Sequence, residues 1–154
     1  DAKLYNLRGF ARIELKNYKG AIEDFTKSIE INPYGWESYN SRGYVNVMLG
    51  RYKTAIPDFK KAIKHNPKCY QAHYERGVAY IQLGRYDRAI EDFNSALKIR
   101  ANFPPAYYQR GIAEYYAGEK EKACKDLNKA KKLGLKVAEQ AIQQFCRKNE
   151  AKGE

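Results

Sequence analysis

Arg-Gly recurs at Arg8-Gly9, Arg42-Gly43, Arg76-Gly77 and Arg110-Gly111, each copy 34 residues after the last. Self-similarity at one period marks tandem copies of a single supersecondary unit, which stack on one another to bury their apolar faces. Further columns keep the register. Twelve residues beyond each glycine stands alanine (Ala21, Ala55, Ala89, Ala123), and four further on a large apolar residue (Phe25, Phe59, Phe93, Leu127). Three later comes a small one (Ser28, Ala62, Ala96, Ala130). Small residues let two helix backbones approach closely while a large side chain one turn away fills the gap beside them, so the spacing encodes a helical hairpin.

The hairpin turns lie between glycine and alanine, at Leu15-Lys16-Asn17-Tyr18, Leu49-Gly50-Arg51-Tyr52, Leu83-Gly84-Arg85-Tyr86 and Ala117-Gly118-Glu119-Lys120. Glycine there supplies the left-handed turn that ends a helix. Asn32-Pro33 and Asn66-Pro67 end the second helix, because proline disfavours helical geometry in the residue before it. Pro104-Pro105 suits instead the first turn of a helix. The pattern predicts eight helices near 2–15, 18–31, 36–49, 52–65, 70–83, 86–99, 104–117 and 120–133, with Pro57 costing one backbone bond in the fourth. After a stop at Gly134, Leu135, Ala138, Ile142 and Phe145 form an apolar stripe backed by polar residues, which predicts a ninth, capping helix near 136–148. The units run about 2–35, 36–69, 70–103 and 104–137, so the repeats occupy 1–137, and 138–154 holds the rest of the cap and a disordered tail from Asn149 to Glu154.

The period, the glycine, alanine, phenylalanine and proline columns and the hairpin break resemble the tetratricopeptide repeat family over about residues 2–137. The resemblance implies an all-α fold, an α-solenoid in which helix-turn-helix units form a right-handed superhelix. It departs from the family in three columns. The aromatic four residues before the glycine is Tyr5, Tyr39 and Tyr107 but His73, the usual leucine before the glycine is arginine throughout, and the tyrosine three after it stands only at Tyr80.

The resemblance also implies a scaffold for protein–protein interaction, whose first helices line a concave groove. Groove positions would then be Asn6, Phe10, Ile13 and Glu14; Asn40, Tyr44, Val47 and Met48; Tyr74, Val78, Ile81 and Gln82; and Tyr108, Ile112, Tyr115 and Tyr116. Val47, Ile81 and Ile112 are expected to pack helix on helix. The partner-binding candidates are therefore Asn6, Phe10, Asn40, Tyr44, Met48, Tyr74, Gln82, Tyr108, Tyr115 and Tyr116. Asparagine pairs with the backbone of an extended peptide, and tyrosine offers a large amphipathic contact at low entropy cost. Family members that clamp chaperone carboxylates use cations and asparagines where this chain has Asn6, Phe10, Ser41, Gln71 and Glu75, and the absence of any cation there rejects that ligand.

At 154 residues with 44% apolar residues, one domain is expected. The net charge of +11 raises an anionic partner, nucleic acid or an acidic surface, as the alternative. Its lysines, Lys60, Lys61, Lys64 and Lys68 and then Lys125, Lys129, Lys132 and Lys136, fall with the second helices, on the convex back. Unit two carries seven basic and two acidic residues but unit three five and four, so the charge is patchy, and without a stacking platform nucleic acid is disfavoured. No run of eighteen apolar residues occurs, so no membrane insertion is expected. The inventory points away from an enzyme and implies no cofactor. His65, Cys69 and His73 are interrupted by Pro67 and make no metal site.

Arg8, Arg42, Arg76 and Arg110 recur with Asp24, Asp58, Asp92 and Asp126, which reads as a ladder of ion pairs between neighbouring hairpins. Cys124 lies ten residues before Gly134 and Cys146 twelve after it, at nearly the same height of an antiparallel pair. Two reduced, packed thiols are the preferred reading and a disulfide the other. The disulfide would imply an exported protein and free thiols a cytoplasmic one, so the compartment stays open. Asp1 abuts the first helix with no visible leader, as expected of a fragment or processed form. Partner identity and oligomeric state are not encoded in any of these patterns.

Overall fold

Each copy of the repeat folds into two helices that turn back on one another. The computed structural model describes residues 1–147. Among these it holds nine helices and no strand: α1 (Ala2–Glu14), α2 (Tyr18–Ile31), α3 (Trp36–Met48), α4 (Tyr52–His65), α5 (Tyr70–Gln82), α6 (Tyr86–Ile99), α7 (Pro104–Tyr116), α8 (Lys120–Lys132) and α9 (Ala138–Phe145). The expected tail from Asn149 lies outside the described residues. Helix α4 runs on through Pro57. Helix α9 starts at Ala138 rather than near 136, because residues 135–137 form a turn closed by the Ala138 amide on the Leu135 carbonyl.

Local chemistry sets the turns. Gly50, Gly84, Gly118 and Gly134 all have positive φ, and after Gly50 the Arg51 amide reaches back to the Asn46 carbonyl at 2.8 Å, which satisfies an orphan acceptor of α3. The first turn has no glycine, and Lys16 takes the left-handed conformation at φ 58°. There the Asn17 amide makes the equivalent bond to the Arg12 carbonyl, 2.8 Å, and the Asn17 side chain caps α2 through the Gly20 amide.

The core of each hairpin is a glycine facing an aromatic ring. A Cβ on Gly9, Gly43 or Gly77 would fall 2.6–2.8 Å from the ring of Phe25, Phe59 or Phe93, all fully buried. In the fourth hairpin Leu127 replaces the ring, and a would-be Cβ on Gly111 meets both the Ala123 carbonyl and Leu127 Cγ at 3.0 Å.

Hairpins stack in series, α2 on α3, α4 on α5 and α6 on α7, and the first helices also touch one another directly, α1 with α3, α3 with α5 and α5 with α7. A row of first helices held this closely forms the inner side of a curved array. The ion-pair ladder between hairpins is not what forms. Arg8, Arg42, Arg76 and Arg110 each bind the aspartate of their own hairpin through Nε and Nη2, Arg42 to Asp58 at 2.9 and 2.8 Å. The reason is that each pair straddles its turn symmetrically, eight residues before and eight after Lys16, Gly50, Gly84 or Gly118. A third guanidinium N–H reaches the preceding hairpin in two cases, Arg42 to Thr26 at 3.0 Å and Arg110 to Asn94 at 2.7 Å.

Helix α9 closes the end of the array by setting Ala141 and Phe145 against Leu127. Cys124 and Cys146 form a disulfide with Cα atoms 5.6 Å apart, so the expectation of two reduced thiols gives way. The helix heights that the turn imposes bring the two side chains together. Cys69 is free and buried.

Candidate partner-binding face

Helix geometry divides each first helix into faces. In α5, Gly77 and Arg76 turn toward Phe93 and Asp92 of α6. At 3.6 residues per turn, positions one and five after the glycine then look about a quarter-turn or more away, along the row of first helices. Phe10, Tyr44, Met48, Gln82 and Tyr116 are exposed there, while Asn6, Asn40, Tyr74, Tyr108 and Tyr115 are half-buried.

The half-buried candidates already have neighbours. Asn6 Nδ2 donates to Ser38 Oγ at 2.7 Å, which ties α1 to α3. Tyr74 packs its ring on Phe93 and Phe103, centroids 5.8 and 5.0 Å away, and burial pushes its phenol up to about 12. Tyr108 packs against the cluster around Leu127, and Tyr115 lies 4.2 Å, centroid to centroid, from Phe145 of the capping helix. Tyr116 stacks on Tyr86 at 5.4 Å with the rings 18° from parallel. The tyrosine-rich end is thus partly occupied by α9, although Tyr116 stays exposed, and toward the N-terminal half Phe10, Tyr44 and Met48 are exposed, Phe10 with its ring edge-on to Phe25. Val47, Ile81 and Ile112 pack against the core clusters.

Asn40 keeps its buried Oδ1 without a hydrogen-bond donor. Two carboxyl groups also stand out. Burial pushes Glu75 up to about 7, and Glu114 reaches about 7 through burial first and then the nearby Asp126 charge, with Arg110 opposing. Glu114 lies within its own hairpin, its Oε1 3.9 Å from Arg110 Nε. Neither was singled out as a site residue from sequence. The signal available was the column itself: position two before the glycine reads Leu7, Ser41, Glu75 and Gln109, and only one of these is charged.

All eight lysines of the basic surface are exposed, although Lys68 and Lys136 sit in turns rather than on second helices. His73 fills the tyrosine column: Nε2 donates to the Pro67 carbonyl at 3.3 Å and Nδ1 lies 3.6 Å from Asp92 Oδ1. No group of three or more metal-ligating side chains occurs among the described residues, and no described helix is long and apolar enough to cross a membrane.

Three family models described as tetratricopeptide repeat match residues 2–34, 40–107 and 105–133. No curated protein sequence matches the chain. Among solved structures, MamA superposes with a TM-score of 0.82 at 27% identity, over 90% of this chain and 81% of that one. MamA 41-end from Desulfovibrio magneticus RS-1 gives 0.80 at 21% identity, covering 86% and 75% of the two chains. YrrB, described as a TPR protein with an unusual peptide-binding site, gives 0.83 at 24% identity, covering 93% and 75%. The last two likenesses speak to the fold alone.

Proposed function

Because the chain belongs to the tetratricopeptide repeat family, we propose that it is a non-enzymatic interaction module that holds an extended peptide or partner segment along its first-helix face. The observation that carries this is the exposure of Phe10 on α1 and of Tyr44 and Met48 on α3, 46%, 38% and 44%, along the face that the two adjacent first helices share. Their spacing from helix to helix suits an extended chain laid across the row, with aromatic and thioether surfaces taking its side chains. The half-buried Tyr74 and Tyr108 form the walls.

Selection from displayed random twelve-residue peptides tests the reading. The wild-type chain should enrich a peptide set whose binding falls at least about tenfold when Phe10, Tyr44 and Met48 are changed together to Ala, with the helical circular dichroism kept. Equal binding by the triple variant would move the contact surface elsewhere. The Cys124–Cys146 bond supports an oxidising compartment for the module, since such bonds seldom persist in a reducing cytosol.

A further inference from the structure

The outer face of α1 carries the columns that the later first helices bury against the hairpin before them. Five positions before the glycine, Ser38, Ala72 and Ala106 are buried, and two positions after it Val45, Ala79 and Ala113 are fully so. Their contacts make the seams: Val45 clusters with Ile22 of α2, Ala72 with Ala62 and Ile63 of α4, and Ser38 Oγ lies 2.8 Å from Ser28 Oγ. On α1 the corresponding residues are Leu4 and Ala11, and both are exposed. At about 100° per residue Leu4, Leu7, Ala11 and Leu15 fall within about 80° of one another, on the side of α1 turned away from Gly9 and Phe25. Leu4, Leu7 and Leu15 are 64%, 56% and 79% exposed, so the stripe is a seam with one side missing.

The other end of the array has no such face. Helix α9 lies on Leu127 through Ala141 and Phe145 and turns Gln140, Gln143 and Gln144 to solvent. The second-helix faces that could complete α1 in the manner of the other seams are already covered, those of α2, α4 and α6 by the following first helix and that of α8 by α9. Head-to-tail stacking of copies is therefore closed off. The pairing left to a second copy is isologous, stripe against stripe about a twofold axis.

Flanking charges complement one another in that arrangement. Lys3 and Glu14 border the stripe on the same side, both exposed and neither in an ion pair among the described residues. In two antiparallel helices with the axis level with Gly9, Leu7 of one copy meets Ala11 of the other, and Leu4 fits between Ala11 and Leu15. Lys3 then comes beside Glu14 of the second copy, twice over. On the opposite flank each Arg8 brings its own Asp24, bonded at 2.7 Å, so no uncompensated like charges meet there.

We propose that the chain associates with a second copy of itself through α1, with Leu4, Leu7, Ala11 and Leu15 in contact and two Lys3–Glu14 pairs fixing the antiparallel direction. This surface lies beside the peptide-binding face and does not depend on it. One helix stripe is small for an interface, so the dimer forms in a concentration-dependent way.

Sedimentation velocity of the chain at about 150 mM salt, from about 5 to about 500 µM, tests this. The weight-average mass of the wild type should climb toward twice that of one chain. Leu4→Ser with Leu7→Ser, the residues that α3 carries at those columns, should stay monomeric with unchanged helical circular dichroism. Lys3→Glu should weaken association by about threefold or more, and adding Glu14→Lys should restore it, because the swap re-forms each pair in reverse. A wild type that stays monomeric over the whole range would overturn the dimer and leave the stripe to a helix of a different protein. A dimer that survives the two serines, or a swap that fails to restore association, would overturn this pairing and place the contact elsewhere.

Discussion

Asp92 accepts two hydrogen bonds from Arg76, 2.9 Å from Nε and 2.7 Å from Nη2, and the pair straddles the turn at Gly84 with eight residues on either side. The bond clasps one hairpin rather than joining two. Changing Asp92 to Ala leaves a largely buried guanidinium without its carboxylate, at a cost of about 3 kcal/mol. The melting temperature should fall by several degrees with or without a bound peptide. An unchanged melt with lost peptide binding would reassign the arginine column to the ligand.

Glu75 gives the stability a pH dependence of definite sign. Its folded-state pKa, about 7, lies above the ordinary carboxyl value of 4.5, so between these the folded state keeps a proton that the unfolded state has lost. Stability from this group falls as pH rises through that window and is level above it. Glu75→Gln should therefore stabilise by on the order of 1–3 kcal/mol at pH 8 and by close to nothing at pH 4. Urea unfolding of both proteins at the two pH values measures the difference, and an equal ΔΔG at both would contradict the desolvation of this carboxyl. Asp24 works in the opposite sense. Hydrogen bonding from Arg8 is the main force holding its pKa down, and its contribution is lost as the solution becomes acid.

Lys16 occupies at φ 58° the place that Gly50, Gly84 and Gly118 take in the later turns. A side chain in the left-handed region costs roughly 1–2 kcal/mol, partly offset by the greater chain entropy that glycine loses on folding. Lys16→Gly should raise stability by about 0.5–1 kcal/mol. Chemical denaturation reads this directly, and a destabilised variant would show that the lysine side chain contributes more than the strain it bears.

Mass spectrometry of the unreduced, proteolysed chain should find a peptide linking Cys124 and Cys146. Reduction should release α9 first, because terminal elements of an array open most readily. Amide exchange over residues 138–145 should then quicken while the first three hairpins keep their protection. Free thiols in protein from its native compartment, prepared without reductant, would remove the argument for export.

Helices were legible because the 34-residue columns and the turn residues act locally: Asn-Pro, glycine and the Gly–Phe spacing each carry their own steric reason. What the spacing left ambiguous was pairing across space. Arginine and aspartate recur at 16 within a unit and 18 between units, and only the symmetry about each turn decides for 16. The disulfide was ambiguous for a similar reason, since equal height on two helices does not specify Cβ direction. Glu75 was invisible as an unusual group because the burial of a carboxyl depends on how the helices pack around it, which its own column does not state. Tyr115 looked free in sequence and is covered by Phe145, which comes from the helix that ends the array.

The two reaching arginines leave an asymmetry along the array. Arg42 bonds to Thr26 across α2 and α3, and Arg110 to Asn94 across α6 and α7, but at the middle seam the corresponding partner would be Lys60, which cannot accept a bond from Arg76. Among the described residues no side-chain hydrogen bond joins α4 to α5, and what crosses that seam is apolar contact, Ile56 with the cluster around Ala79 and Tyr80 and Phe59 and Ala62 with the cluster that holds Ala72. Hydrogen bonds are directional and lock one register, whereas apolar burial is non-directional and tolerates small slides. The middle seam is therefore keyed by the shapes of its apolar side chains, while the seams on either side of it carry a guanidinium bond as well.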